Sequence, residues 1–233
     1  MVFSSLVFLC VFFPVVFLLH TVIPSFKAKN ILLIIASLLF YAYGEPVYVL
    51  LMLFSSLLNF LCAKGVATQS PKINKAVMVL AVVVNLSMLG VFKYADMVVT
   101  TVNSLFSSEI PVPGIVLPIG ISFFTFQALS YVIDVYRKEV DVQKNYLNVL
   151  LYISFFPQLI AGPIVRYRDI NEQIELRKIS VEKTAKGLRR FICGLAKKVL
   201  IANTMAAAAD AIFNTDENVL LTASTASGKT EAA

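Results

Sequence analysis

Apolar residues run through this chain in long blocks, separated by short basic gaps and a few Pro/Gly breaks. Residues 2–23 are almost wholly apolar with no positive segment before them. A cleaved leader would need that segment and a shorter apolar core, so the pattern predicts an uncleaved first span. Lys27 and Lys29 follow, which predicts a cytoplasmic first loop and an N-terminus outside. Segments 30–43 and 46–63 predict a helical hairpin around Gly44-Glu45-Pro46, where a helix stop and restart fall side by side. Lys64, Lys72 and Lys75 return the chain to the cytoplasm, with Ser70-Pro71 in the loop. Residues 76–106 form one apolar stretch interrupted by Lys93 and Asp96. A helix from Ala76 reaches Lys93 after about 26 Å, near the far headgroups, so this pair is expected to neutralise itself at the interface. The Pro- and Gly-containing stretch at 107–114 is expected as an outside loop.

The next block, 117–136, is long enough to cross back, since roughly 20 residues at 1.5 Å each cover about 30 Å of hydrocarbon. Asp134 is expected to pair with Arg137 or Lys138 at helical spacing. Residues 146–163 are a poorer span: Pro157, Gly162 and Pro163 break the second half, and lipid offers no partners for freed backbone groups. Irregular backbone at membrane depth requires burial in protein or a wet cavity beside it. A full crossing would also put Arg166 and Arg168 outside, against the charge rule, so a re-entrant segment is predicted. Residues 166–190 are the longest polar region. Ile170, Ile174, Leu176 and Ile179 predict a surface-lying amphipathic helix on the cytoplasmic leaflet, and Ser180 is a candidate cap for a second helix start. A further helix is expected from Phe191 to Phe213, tilted or interfacial at Lys197-Lys198 and small-residue-rich beyond. The fold class predicted is an all-α membrane protein: a polytopic bundle of about five to six transmembrane helices, a re-entrant segment and a cytoplasmic amphipathic helix.

Composition supports the membrane reading. Hydrophobic residues make up 58% of the 233 and charged residues 15%, with mean hydropathy +0.81; soluble domains average about 45–50% and roughly 25%. The net charge of +6 does not point to nucleic acid, because the basic residues sit between apolar blocks as cytoplasmic loops would. Trp is absent, so interfacial belts must use the nine tyrosines. Cys10, Cys62 and Cys193 lack metal-like spacing and are expected as buried thiols, with no metal site. The single histidine, His20, closes the first block and is expected at the interface.

Two blocks carry a likeness. LPIGISFFTFQALSYVIDVYR, from Leu117, and FFPQLIAGPIVR, from Phe155, resemble the membrane-bound O-acyltransferase family, with weaker echoes at 40–48 and 194–203. The branch that O-acetylates alginate and similar exopolysaccharides is the nearest likeness, extending to about Glu217. The resemblance implies acyl transfer, of acetyl in that branch, from a cytoplasmic thioester donor such as acetyl-CoA. That donor enters as substrate, with no bound cofactor. It also implies the bacterial inner membrane as location, the lipid bilayer as surroundings and polysaccharide-acetylation machinery on its outer face as partner. The family's catalytic histidine lies in a later block that these residues do not contain, and His20 does not match it. No catalytic residue is therefore assigned, and the chain alone is expected to be inactive. Phe123, Phe124, Gln127, Pro157, Gln158 and Arg166 are the candidates for lining a substrate path. A polytopic transporter or membrane scaffold remains the alternative, because re-entrant backbone serves transport too; no inverted repeat is visible between the halves.

From Asn218 the sequence changes character, so the expected division is 1–217, the N-terminal half of such a domain, and 218–233, an unrelated or misfused tail. Residues 223–230 (ASTASGKT) are similar to the phosphate loop of helicase-type NTPases, where backbone amides cradle phosphates, Lys229 meets them and Thr230 meets magnesium. Such a loop works at the start of a helix, and only Glu231, Ala232 and Ala233 follow it, so no working nucleotide site is expected.

Overall fold

The computed structural model describes residues 5–68, 70–106, 109–159, 163–177 and 180–214, with side chains described to residue 209. The described residues are helical throughout, joined by turns and extended links, with no strand among them. They fall into two compact units, one within residues 10–177 and the other made of residues 5–9 and 180–214.

A π-helical turn, Phe8–Phe12, leads into α1 (Phe13–Val22), the first α-helix of the first unit. Then come α2 (Phe26–Ala42), α3 (Tyr48–Val66), α4 (Pro71–Phe106), α5 (Ile121–Tyr136), α6 (Tyr146–Ser154), α7 (Phe156–Leu159) and α8 (Tyr167–Leu176). The hairpin expected at 44–46 is there, between α2 and α3. Pro71 opens α4 instead of lying in the preceding loop, consistent with proline needing no N–H partner in a first helical turn.

The core forms around α5. Phe124, Ala128, Tyr131 and Val132 are sealed from solvent between α3, α4, α6 and α8. Its N-terminal entry, expected helical from Leu117, is irregular up to Ile121 because side chains hold the backbone instead. Tyr48 Oη donates to the Val116 carbonyl (2.9 Å), and Tyr41 Oη donates to that of Ile119 (3.0 Å). Gly120 makes the turn into the helix with φ +79°. α4 buries only the stripe Ala81, Asn85 and Leu89, at helical spacing of four. Asn85 and Asn59 of α3 exchange reciprocal amide bonds at 2.9 and 3.0 Å, and each also donates to the carbonyl four residues before it. α8 is amphipathic as expected: Ile174 is buried and Ile170 half-buried, although Leu176 faces outward.

Two expected ion pairs do not form. Asp96 accepts from the Ile115 N–H (3.4 Å), while Lys93 lies over the Tyr94 ring. Asp134 Oδ2 is buried with no hydrogen-bond partner among the described residues. Arg137 pairs instead with Glu139 (3.3 Å), which also takes Arg168 of α8 (2.9 Å). Asp134 points into the core, whereas Glu139, beyond the helix end, stands in the open between the two arginines. Cys62 is buried, but Cys10 and Cys193 are exposed on apolar helical surfaces.

In the second unit α9 (Val181–Ala196) continues through a π-helical segment, Lys197–Ala202, into α10 (Asn203–Asn214). The Ser180 hydroxyl caps α9 by accepting from the Lys183 N–H (3.2 Å), as its sequence position predicts. The sequence from 218, with its phosphate-loop likeness, lies outside the described residues.

Among the described residues three helical stretches are long and apolar enough to cross a bilayer: α3, α4 and Val181–Ala209. Phe8–Val22 and α5 are apolar but shorter. At nine residues α6 rises only about 14 Å, well short of a crossing.

Candidate functional site

The break between α6 and α7 is where backbone chemistry is exposed to side chains. Phe155, at ψ 109°, ends α6 before Pro157, and Pro157 sits in the first turn of α7 where its ring is tolerated. An unbroken helix would give the Tyr152 carbonyl to the N–H of Phe156. Here Phe156 N–H donates to Ser37 Oγ of α2 (3.2 Å). The freed Tyr152 carbonyl accepts two amide N–H groups, from Gln127 Nε2 of α5 (2.6 Å) and Gln158 Nε2 of α7 (2.8 Å). Two glutamines far apart in sequence thus meet at one oxygen. They satisfy a backbone group that lipid could not.

The Tyr152 ring carries the junction further. Its phenol donates to the Val165 carbonyl (2.8 Å), pinning the chain that returns to α8. Tyr167, the first residue of α8, packs edge-on against Tyr131 and Tyr152, with ring centroids 4.7 and 5.1 Å away. Gln143 Nε2 donates to Tyr167 Oη and to Glu175 Oε1, both at 2.8 Å. Burial pushes the Tyr167 phenol up to about 12, so it stays a neutral hydroxyl in this network.

Beside the junction lies a cavity of about 150 Å³ between α2, α6, α7 and α8. Leu33, Leu151, Phe155, Ile170 and Ile174 give it apolar walls; Gln158, Gln173 and Arg177 are its polar side chains, with Tyr152 at the junction side. Arg177, just past α8, is held by three neighbours. Its Nη2 donates to Asn30 Oδ1 (3.1 Å) and lies 3.2 Å from His20 Nε2, and its guanidinium stacks 5.0 Å over the Phe26 ring. Asn30 Nδ2 in turn donates to the Ile174 carbonyl at the end of α8 (3.0 Å).

The structure thus brings together some of the residues singled out in the sequence. Gln127 and Gln158 converge on Tyr152, with Phe124 buried on the same face of α5 and Phe123 half-buried beside it. Pro157 and Arg166 are exposed. Ser37, Tyr152, Gln143 and Arg177 were not singled out. For Ser37 and Tyr152 a hydroxyl inside an apolar block was the only sequence signal, while Gln143 and Arg177 were lost among the charged and polar residues around them. No group of three or more His, Cys, Asp or Glu side chains stands ready for a metal among the described residues.

Residues 37–224 match the membrane-bound O-acyltransferase family, a span containing the whole α6–α7 junction. The chain belongs to that family. The match ends within the segment from 218 whose character changes. The chain is 40% identical over 222 residues to a protein named "Probable alginate O-acetylase AlgI" from Pseudomonas aeruginosa, covering 91% of this chain and 42% of that one. A protein of the same name from Azotobacter vinelandii is 39% identical, with 91% and 44% covered. A "Peptidoglycan O-acetyltransferase" from Helicobacter pylori is 32% identical over 247 residues, covering 92% of this chain and 47% of that one. The chain therefore spans under half the length of these relatives. No solved structure matches it.

Proposed function

We propose that these residues form part of a membrane O-acyltransferase of the bacterial inner membrane. It would move an acetyl group from a cytoplasmic thioester donor such as acetyl-CoA to an exopolysaccharide such as alginate. The observation that carries this reading is the broken α6–α7 helix, capped by Gln127 and Gln158 and bordered by a cavity, inside the family-matched span. Sealed backbone next to an open pocket is what a path through the bilayer requires. In this reading Gln127, Gln158 and Tyr152 shape the wall of the path, Phe123 and Phe124 back it, and Pro157 and Arg166 flank its ends. The shorter apolar helices cross along with the longer ones, with α6–α7 re-entrant and the N-terminus outside.

Acyl transfer to a sugar hydroxyl also needs a base for the hydroxyl proton and donors for the developing oxyanion. His20 is the single histidine of the 233 residues, and its Nε2 faces Arg177. Glu45, Asp96 and Asp134 stand in three separate settings: the α2–α3 turn, α4 and the core face of α5. We assign these residues the path and not the base. The test is complementation of a strain lacking its alginate acetylase, with polysaccharide ester content as the readout. Residues 1–217 joined to the C-terminal half of the Pseudomonas aeruginosa relative are expected to restore ester. Residues 1–233 alone should fall short by at least the roughly 10²–10⁴ that a missing general base costs. Ester from 1–233 alone would send the search for a base to the four residues above; no ester from the joined chain would remove the acyltransferase reading.

A further inference from the structure

Arg177 carries a charge that nothing among the described residues balances. Its neighbours, Asn30, Phe26 and His20, are an amide, a ring and an imidazole, and no carboxylate lies within salt-bridge distance among the described residues. Glu175, in the last turn of α8, bonds Gln143 instead. Lys29 is near enough to act electrostatically on His20, so the second charge in the neighbourhood is also positive. The Nε of Arg177 is buried with no partner among the described residues, and the side chain as a whole is half-buried. A guanidinium does not shed its proton in a protein, and a buried charge is stable only when paired. Three neighbours fix it in place, and none neutralises it. That is the arrangement of a site waiting for an anion.

We propose that Arg177 seats the phosphodiester headgroup of an anionic membrane lipid, whose apolar part enters the adjoining cavity. The guanidinium fork suits a phosphate oxygen pair, and Gln173 and Gln158 offer neutral donors along the same wall. The other walls, from Leu33 and Leu151 to Ile170 and Ile174, offer nothing to a soluble ion but match acyl or glycerol carbon. α2 supports the same source. Its start carries Phe26 and Asn30 against the arginine, with Lys27 and Lys29 between them in sequence, and Ile31, Ile35 and Leu39 further along are exposed as a lipid-facing row. Headgroup-level cations next to an apolar helix face are the general signature of an anionic-lipid pocket. The inference is independent of the acyl-transfer reading.

The test uses the purified 233-residue chain, delipidated and offered equal amounts of phosphatidylglycerol and phosphatidylcholine, with bound lipid counted by native mass spectrometry. The wild type is expected to retain phosphatidylglycerol selectively. Arg177→Gln should weaken that retention about tenfold or more, the scale of one lost charge-assisted interaction. Arg177→Lys, which keeps the charge but not the fork, should fall between. Because loss of Arg177 could unfold its end of the unit, Gln173→Glu provides a second arm: this exposed wall residue would put a negative charge in the cavity and should also weaken retention. Equal retention of the two lipids by the wild type would overturn the proposal, as would full retention by Gln173→Glu. Displacement of phosphatidylglycerol by millimolar inorganic phosphate would overturn the lipid source, leaving a site for soluble anions.

Discussion

Asn59 and Asn85 bond to each other across α3 and α4, each with both its amide groups, in a stripe that is otherwise apolar. Replacing one leaves the other's amide buried and unpaired, which costs about 1–3 kcal/mol in proteins generally and nearer 0.6 between membrane helices, where alternatives exist. Asn85→Leu is therefore expected to lower the thermal unfolding midpoint in detergent, and Asn59→Leu with Asn85→Leu to recover most of the loss. A double variant as unstable as the sum of the singles would show that the pair is not the cause. Side chains of this kind mark the limit of what the sequence discloses. Gln127 was legible as the one amide of its apolar block, but its acceptor, a carbonyl 25 residues away, was not. Asp134 and Arg137 looked like partners because they are close in sequence; burial of one and exposure of the other parted them. Arg177 was hidden in a run of charges until α8 folded back onto α2.

Helices were read more securely than their ends. Apolar blocks located α2 to α5 because burial and lipid exposure both demand continuous apolar surface. The break in the sixth block was predicted from its prolines, yet it falls at Phe155, since Pro157 starts α7 instead of ending α6. Gly120 is the counterpart on α5. It turns at a positive φ, and a Cβ there would lie 2.9 Å from the Leu159 carbonyl oxygen of α7. Gly120→Ala should therefore destabilise by about 1–3 kcal/mol, from the left-handed backbone and the backbone clash together. Gly90→Ala on α4 makes the control. Nothing lies within 4 Å of its added carbon, so it should be neutral or gain up to about 1 kcal/mol of helix propensity. Equal shifts for the two in thermal unfolding would mean that the α5–α7 approach is not tight.

For the whole molecule, composition and charge spacing made the membrane plain, and the family match agrees with it. Which side each loop faces rests on the distribution of lysine and arginine. In a chain with Cys10, Cys62 and Cys193 replaced, Gly44→Cys should react with an impermeant thiol reagent added outside. Lys72→Cys, Lys138→Cys and Arg168→Cys should react only after the membrane is opened. Labelling of position 168 from outside would make 146–163 a full crossing. One dimension of the structure bears on all of these positions. α4, at 36 residues, rises about 54 Å, while α5 rises about 24 Å and α6 about 14 Å. A hydrocarbon film about 30 Å thick leaves the first with length to spare and the others short. Short helices are met by thinning of the bilayer around them. The lipid film should therefore be dimpled beside α5–α7, bringing the two water phases nearest each other where the backbone is broken.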